Sequence, residues 1–167
     1  GQYYANRDAV NLAISGDRTE HVLWRLENGN IDGISPKLAV LMIGTNNHMS
    51  SPPKVTARDI RLIVKQLRTK LPKTKVLVLA VFPRGGGDDD GARRINMTVN
   101  ELIADLGDGK MVYHLNINEA FLDGRRLRHN LIPDGTHPNE KGYAAWAEAM
   151  EPTLAKLLGE EPIIPGD

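Results

Sequence analysis

The sequence predicts a three-layer α/β domain with a mostly parallel sheet. Short apolar runs rich in β-branched residues recur at Ala9–Ile14, Leu38–Ile43, Lys75–Val81 and Met111–Leu115. Their apolarity is continuous rather than alternating, the pattern of strands covered on both faces. Between them lie segments with apolar residues at three- and four-residue steps, the spacing of helices with one buried face.

Taken in order, Ala9–Ile14 reads as the first strand, ending in Ser15-Gly16-Asp17. Thr19–Glu27 is a helix whose face is Val22, Leu23 and Leu26, widened by Trp24. Leu38–Ile43 is the next strand, followed by Gly44-Thr45-Asn46-Asn47-His48. Ser50 and Ser51, beside Pro52 and Pro53, turn into a helix over Val55–Leu71 with Ile60, Ile63, Val64 and Leu67 inward. Lys75–Val81 leads into Phe82-Pro83-Arg84 and a glycine- and aspartate-rich stretch. Ala92–Leu106 carries a stripe of Ile95, Val99, Leu102, Ile103 and Leu106, and Met111–Leu115 follows as a strand. The last helix starts near Pro138, which suits the first helical position, and turns Tyr143, Trp146, Ala147 and Met150 inward. Pro152 is expected to end or kink it, with Thr153–Leu158 adding a final turn or two. Residues 1–159 read as one domain, and the proline-containing tail 160–167 is expected to fray.

Composition narrows the function classes. Lys plus Arg equals Asp plus Glu at 21 each, so no basic excess points to nucleic acid or an anionic membrane surface. There is no cysteine, which excludes disulfides, thiolate metal sites and a cysteine nucleophile. No apolar run approaches the roughly 20 residues that cross a bilayer. Gly1–Asp8 are polar and show no charged-then-apolar signal pattern, so the compartment stays open.

In open parallel α/β sheets, ligands bind beyond the carboxyl ends of the strands, so the loops there are the candidate site. In Asp134-Gly135-Thr136-His137 a carboxylate three residues before a histidine can accept its Nδ1 proton and leave Nε2 free to act as a base. The same residue types also serve as caps and turn formers before a helix. Gly16 and Asn46 offer a backbone amide and a side-chain amide, the donors that stabilise a carbonyl oxygen as it becomes negative in acyl transfer. Both also fit ordinary strand-end turns. The run Arg84–Gly91 lacks the lysine and following Ser or Thr of a phosphate loop, and its aspartates lack calcium-loop spacing. His21, His48, His114 and His129 show no ligand spacing and read as structural or surface residues, as Trp24 and Trp146 read as core.

The blocks Asn11–Leu26, Gly44–Asn47 and Asp134–His137, in that order, resemble the SGNH (GDSL-type) hydrolases over nearly the whole chain. The resemblance is to the branch of platelet-activating-factor acetylhydrolase-like enzymes and carbohydrate acetylesterases. It implies a flavodoxin-like α/β/α fold, with His137 as base, Asp134 as its orienting acid, and Gly16 and Asn46 as oxyanion-hole donors. It implies hydrolysis of small acyl esters, often O-acetyl groups on carbohydrate, with no cofactor or metal. A secreted or periplasmic setting would suit such substrates.

One family block has no counterpart. An apolar strand ending in Gly-Asp-Ser, bearing the nucleophilic serine, belongs ahead of Gly16, and the fifteen residues there do not contain it. The chain is therefore expected to be the larger part of such a hydrolase, lacking the usual first strand. Loss of a central strand leaves unpaired edges, to be closed by re-pairing within the chain or by a partner, either the missing segment or a second copy. Ser15 is the disfavoured substitute nucleophile, since its position belongs to the loop. A non-catalytic scaffold or binding module is the alternative reading.

Overall fold

The computed structural model describes residues 3–4, 6–87 and 89–164. Its elements are α1 (Thr19–Glu27), β1 (Leu38–Leu41), α2 (Pro53–Lys70), β2 (Lys75–Leu79), α3 (Gly91–Ile103), β3 (Val112–Leu115), the small strands β4 (Leu122–Asp123) and β5 (Arg126–Leu127), and α4 (Glu140–Leu158). Short 3-10 turns cover Thr45–Met49 and Asn118–Phe121.

The main sheet has three parallel strands in the order β1-β2-β3. Leu38 pairs with Lys75 across β1 and β2, and Val76 with Val112 across β2 and β3. Side chains alternate across a strand, so β2 feeds two cores. Val76 and Val78 face a layer of Ile60, Ile63, Val64 and Leu67 from α2 with Val99 and Ile103 from α3. Leu77 and Leu79 face Phe121, Met150, Leu154 and Leu157, the last three from α4. Helices thus cover both faces, and three layers result. Each fully buried aliphatic side chain here contributes roughly 1.5–3 kcal/mol of transfer free energy.

Local chemistry sets the helix starts. Pro53 occupies the first turn of α2, where a missing N–H costs nothing. Asp90 caps α3 by accepting from Arg93 N at 3.0 Å, so part of the aspartate-rich stretch is a helix cap. Asp88, of the same stretch, lies outside the described residues.

Several expectations are corrected. Ala9–Ile14 forms no strand; Val10 is 76% exposed and Ile14 57%. β-structure needs a hydrogen-bonded neighbour, and β1 pairs only with β2, so re-pairing within the chain does not occur among the described residues. Pro138 precedes the helix rather than opening it: Asn139 is the cap, its side chain accepting from Gly142 N at 3.0 Å. Pro152 does not end α4. Pro152 and Glu148, whose carbonyl its missing N–H would have bonded, are both exposed residues. Meanwhile Met150, Leu154 and Leu157 hold both halves of the helix to the core. Trp24 and Tyr143 are not core, being 64% and 58% exposed, because each points away from its helix's buried stripe. Trp146 does pack inward, edge-on to Phe82 at 4.6 Å.

Residues Arg7 and Glu151 form a buried bidentate pair at 2.8 and 2.7 Å, which ties the start of the described chain to α4. The tail is attached to the same group: Ile163 N donates to Glu151, and Glu160 accepts from Arg7.

Candidate active site

The turn after Ile132 organises itself around one carboxylate. Asp134 Oδ1 accepts from His137 N at 2.7 Å and Thr136 N at 2.9 Å, while Oδ2 lies 2.6 Å from His137 Nδ1. Gly135 makes this tight turn with a φ of +77°, a left-handed conformation that L side chains resist. The His137 backbone amide first, then its ring, then the Thr136 amide hold the Asp134 carboxyl well below the usual carboxylate range. An ionised carboxylate only accepts, so Nδ1 carries a proton, and in the neutral imidazole Nε2 then holds the free lone pair. His137 is open to solvent, with a side-chain exposure of 76%. Among the described residues its ring bonds only Asp134, so no serine is paired with it.

Gly16 and Asn46 come together at the end of the Ala9–Ile14 segment. Gly16 is exposed with φ +82°, and its amide makes no hydrogen bond among the described residues. Asn46 Nδ2 donates to Asp17 O at 3.0 Å, which leaves its second N–H available. Asp17 in turn pairs with Arg25 of α1 at 2.6 Å. Ser15, beside them, is exposed.

Supporting residues that sequence reasoning passed over make this geometry rigid. Asn47, fully buried, accepts from Thr19 N at 3.1 Å and donates to Thr19 Oγ1 and Glu20 Oε2 at 3.0 and 3.2 Å. It locks the loop after β1 to the start of α1, so that Asn46 is presented beside Asp17. The doubled asparagine was visible in sequence, but nothing local distinguishes the lock from the donor. Beyond β2, Asn100 exchanges two hydrogen bonds with the Val81 backbone, Asn118 donates to Val81 O, and Asn96 donates to Phe82 O. These three amides satisfy backbone groups where the strand pairing stops.

Arg84 joins the two halves. Its Nη1 donates to Thr45 O and Thr45 Oγ1 at 3.0 and 3.2 Å, and its Nη2 to Thr136 Oγ1 at 3.2 Å. Thr45 precedes Asn46 and Thr136 precedes His137. A bonded chain therefore runs from Gly16 through Asp17, Asn46, Thr45, Arg84 and Thr136 to His137. Such an arrangement can take a proton at Nε2 and offer N–H donors to a developing oxyanion. Among the described residues, no group of three or more His, Asp or Glu side chains is placed to hold a metal.

The pattern of the GDSL-like Lipase/Acylhydrolase family matches residues 1–145. Platelet-activating factor acetylhydrolase IB subunit alpha1 of Pongo abelii is 37% identical over 156 residues, which are 92% of this chain and 66% of that protein. Subunit alpha2 from Rattus norvegicus is 37% identical over 157 residues, 92% and 67% of the two chains. The chain thus spans about two thirds of the length of these curated relatives. A putative acylhydrolase from Bacteroides fragilis superposes with a TM-score of 0.80 at 17% identity, over 93% of this chain and 78% of that one. An acetylxylan esterase from Geobacillus stearothermophilus, solved as a catalytic mutant, gives 0.71 at 19%, over 91% and 72%. At these identities the likeness of the solved structures is one of fold.

Proposed function

The chain belongs to the GDSL-like lipase/acylhydrolase family, and from that premise we propose that it forms the acid–base and oxyanion part of a serine esterase acting on small acyl esters. The observation that carries the reading is the Asp134–His137 pair, 2.6 Å apart, with the carboxylate also held by two backbone amides. A serine hydroxyl attacks the ester carbonyl while His137 Nε2 takes its proton. Gly16 N–H and Asn46 Nδ2–H stabilise the oxyanion; one such donor is worth roughly 3–4 kcal/mol of transition-state stabilisation. His137 returns the proton to the leaving alcohol, then activates water for deacylation. Asp134, whose carboxyl is depressed, stays ionised wherever an imidazole titrates.

Acetyl is the acyl group named for the sequence relatives and for several structural neighbours, which supports an O-acetyl substrate. The polar side chains around the mouth, Thr45, His48, Arg84 and Thr136, suit a hydroxyl-rich alcohol such as a carbohydrate. The nucleophile arrives on a segment outside residues 1–167, which pairs with the open edge of β1 and covers Val10 and Ile14. The β1 edge, which has no partner among the described residues, and the exposure of those side chains support this. A non-catalytic scaffold remains the second reading, favoured by the absence of a serine bonded to His137 among the described residues.

Two measurements separate them. With a fluorophosphonate probe, residues 1–167 alone are expected to gain no adduct mass; an adduct at Ser15 would move the nucleophile into this chain. Protein isolated from its native source, with whatever accompanies it, is expected to hydrolyse p-nitrophenyl acetate. His137→Ala, expressed in the same source, should lower kcat/KM by roughly 10²–10⁴-fold. Turnover that survives this change sinks the role of His137, and no turnover in the native preparation favours the scaffold.

A further inference from the structure

Two catalytic groups on loops 91 residues apart in sequence, Asn46 and His137, need a common reference to act on one carbonyl. Chain connectivity does not provide it, because each loop follows a different element. Arg84 does. Its stem starts from the anchored segment that follows β2: Phe82 packs against Phe121 and Trp146 at centroid distances of 4.7 and 4.6 Å, and Asn96 holds the Phe82 carbonyl. From that base one guanidinium nitrogen grips Thr45 twice and the other grips Thr136. The next residue repeats the attachment, Gly85 N donating to Gly135 O at 2.8 Å.

His48 fixes how the Thr45 side is read. Its Nδ1 lies 2.8 Å from Thr45 O and 3.3 Å from Arg84 Nη1. A carbonyl can only accept, so Nδ1 carries a proton toward Thr45 O, and the approach to Arg84 sets two donors side by side rather than forming a bond. Both donors converge on the same carbonyl. Among the described residues no direct hydrogen bond runs between the Thr45–Met49 turn and the Asp134–His137 turn; the segment at Arg84 and Gly85 is the connection.

We propose that Arg84 is a positioning residue, a fork that holds the loop of the oxyanion donor Asn46 and the turn of the base His137 at one fixed separation. The proposal rests on the esterase reading of Asn46 and His137, but its test does not require turnover. Geometry of this kind matters because a misplacement of about 1 Å at a reacting centre can cost roughly 10²-fold in rate. Lysine cannot substitute, since a single ammonium lacks the planar spread needed to reach Thr45 and Thr136 together.

The test uses isotope-labelled full chain and reads two nuclear magnetic resonance signals, the His137 ring and the Asn46 side-chain amide. Thr136→Val removes one arm of the fork beside His137. It is expected to shift the Asn46 amide signal across the clamp while sheet amides of Val76–Leu79 stay in place. Arg84→Lys and Arg84→Met are expected to move both signals, with lysine giving no rescue. An unmoved Asn46 signal in Thr136→Val overturns the proposal, as does restoration of both signals by lysine. Thr136→Val also serves if the Arg84 variants do not fold. Loss of coupling leaves the p-nitrophenyl acetate assay able to pass, and failure of that assay leaves the coupling measurable.

Discussion

Two short apolar runs, Ala9–Ile14 and Lys75–Leu79, both read as strand in sequence and have opposite fates. The second is β2, hydrogen-bonded on both sides, with Val76 and Leu77 fully buried in opposite cores. The first is irregular, with Val10, Leu12 and Ile14 exposed and a local bond from Ala13 N to the Asn11 side chain. Propensity separates them only in part, Asn11 and two alanines weakening the first run. What differs is the supply of neighbours: a strand is stable when adjacent backbones satisfy its N–H and C=O groups and side chains close over its faces. Ala9–Ile14 is a strand-like sequence without a slot.

The largest effect should come from truncating equivalent leucines. Leu77→Ala, in the wholly buried strand, is expected to cost about 2–5 kcal/mol in urea unfolding. Leu12→Ala, 38% exposed, should stay within about 0.5 kcal/mol. Similar costs for the two would break the comparison.

Amide hydrogen exchange should sharpen it next. Val76–Leu79 are expected to exchange at least about 10³-fold more slowly than Ala9–Ile14, because the inner strand opens only with the whole domain. Protection of Ala9–Ile14 in the native preparation, but not in residues 1–167 alone, would show the slot being filled. Protection in the isolated chain would mean that the segment had found a partner already.

The smallest effect concerns a region that needs no such neighbour. The Asp134 turn is closed by its own amides, so its carboxyl should titrate below the ordinary value of 3.8 when followed by carbon-13 resonance. Asp108, held chiefly by Val112 N–H and then by those of Lys110 and Met111, should titrate at about 2. Since the folded value is depressed, this stability is present above about pH 3.8 and is lost as pH falls through the lower folded value. The Asp134 side chain is 56% exposed, so the contribution is small. An Asp134 midpoint at or above 3.8 would remove the closed turn and with it the fixed tautomer of His137.

Much of the fold and one contact of the candidate site were legible beforehand. Helix α1 runs over the predicted Thr19–Glu27, and β1, β2 and β3 lie inside the predicted runs, because spacing within one element reports which face is buried. Asp134 and His137 were legible as a pair because the interacting atoms lie within four residues. Asn47 and Arg84 were not, since their partners are 28 and 52 residues away and their types are unremarkable in a loop. Pro152 misled for the same reason: the local rule says stop, and burial of α4 on both sides of it says continue.

Sequence by itself determined the alternation of strand and helix, the self-closing Asp134–His137 turn and the family. All of these depend on atoms near one another along the chain or on the order of short blocks. Only the tertiary structure decided that Ala9–Ile14 stays open and that Asn46 is steered by Asn47. It alone placed the Thr45–Asn46 loop and the Thr136–His137 turn on a single guanidinium. Those outcomes depend on which neighbours are present in space, and a one-dimensional pattern does not carry that information.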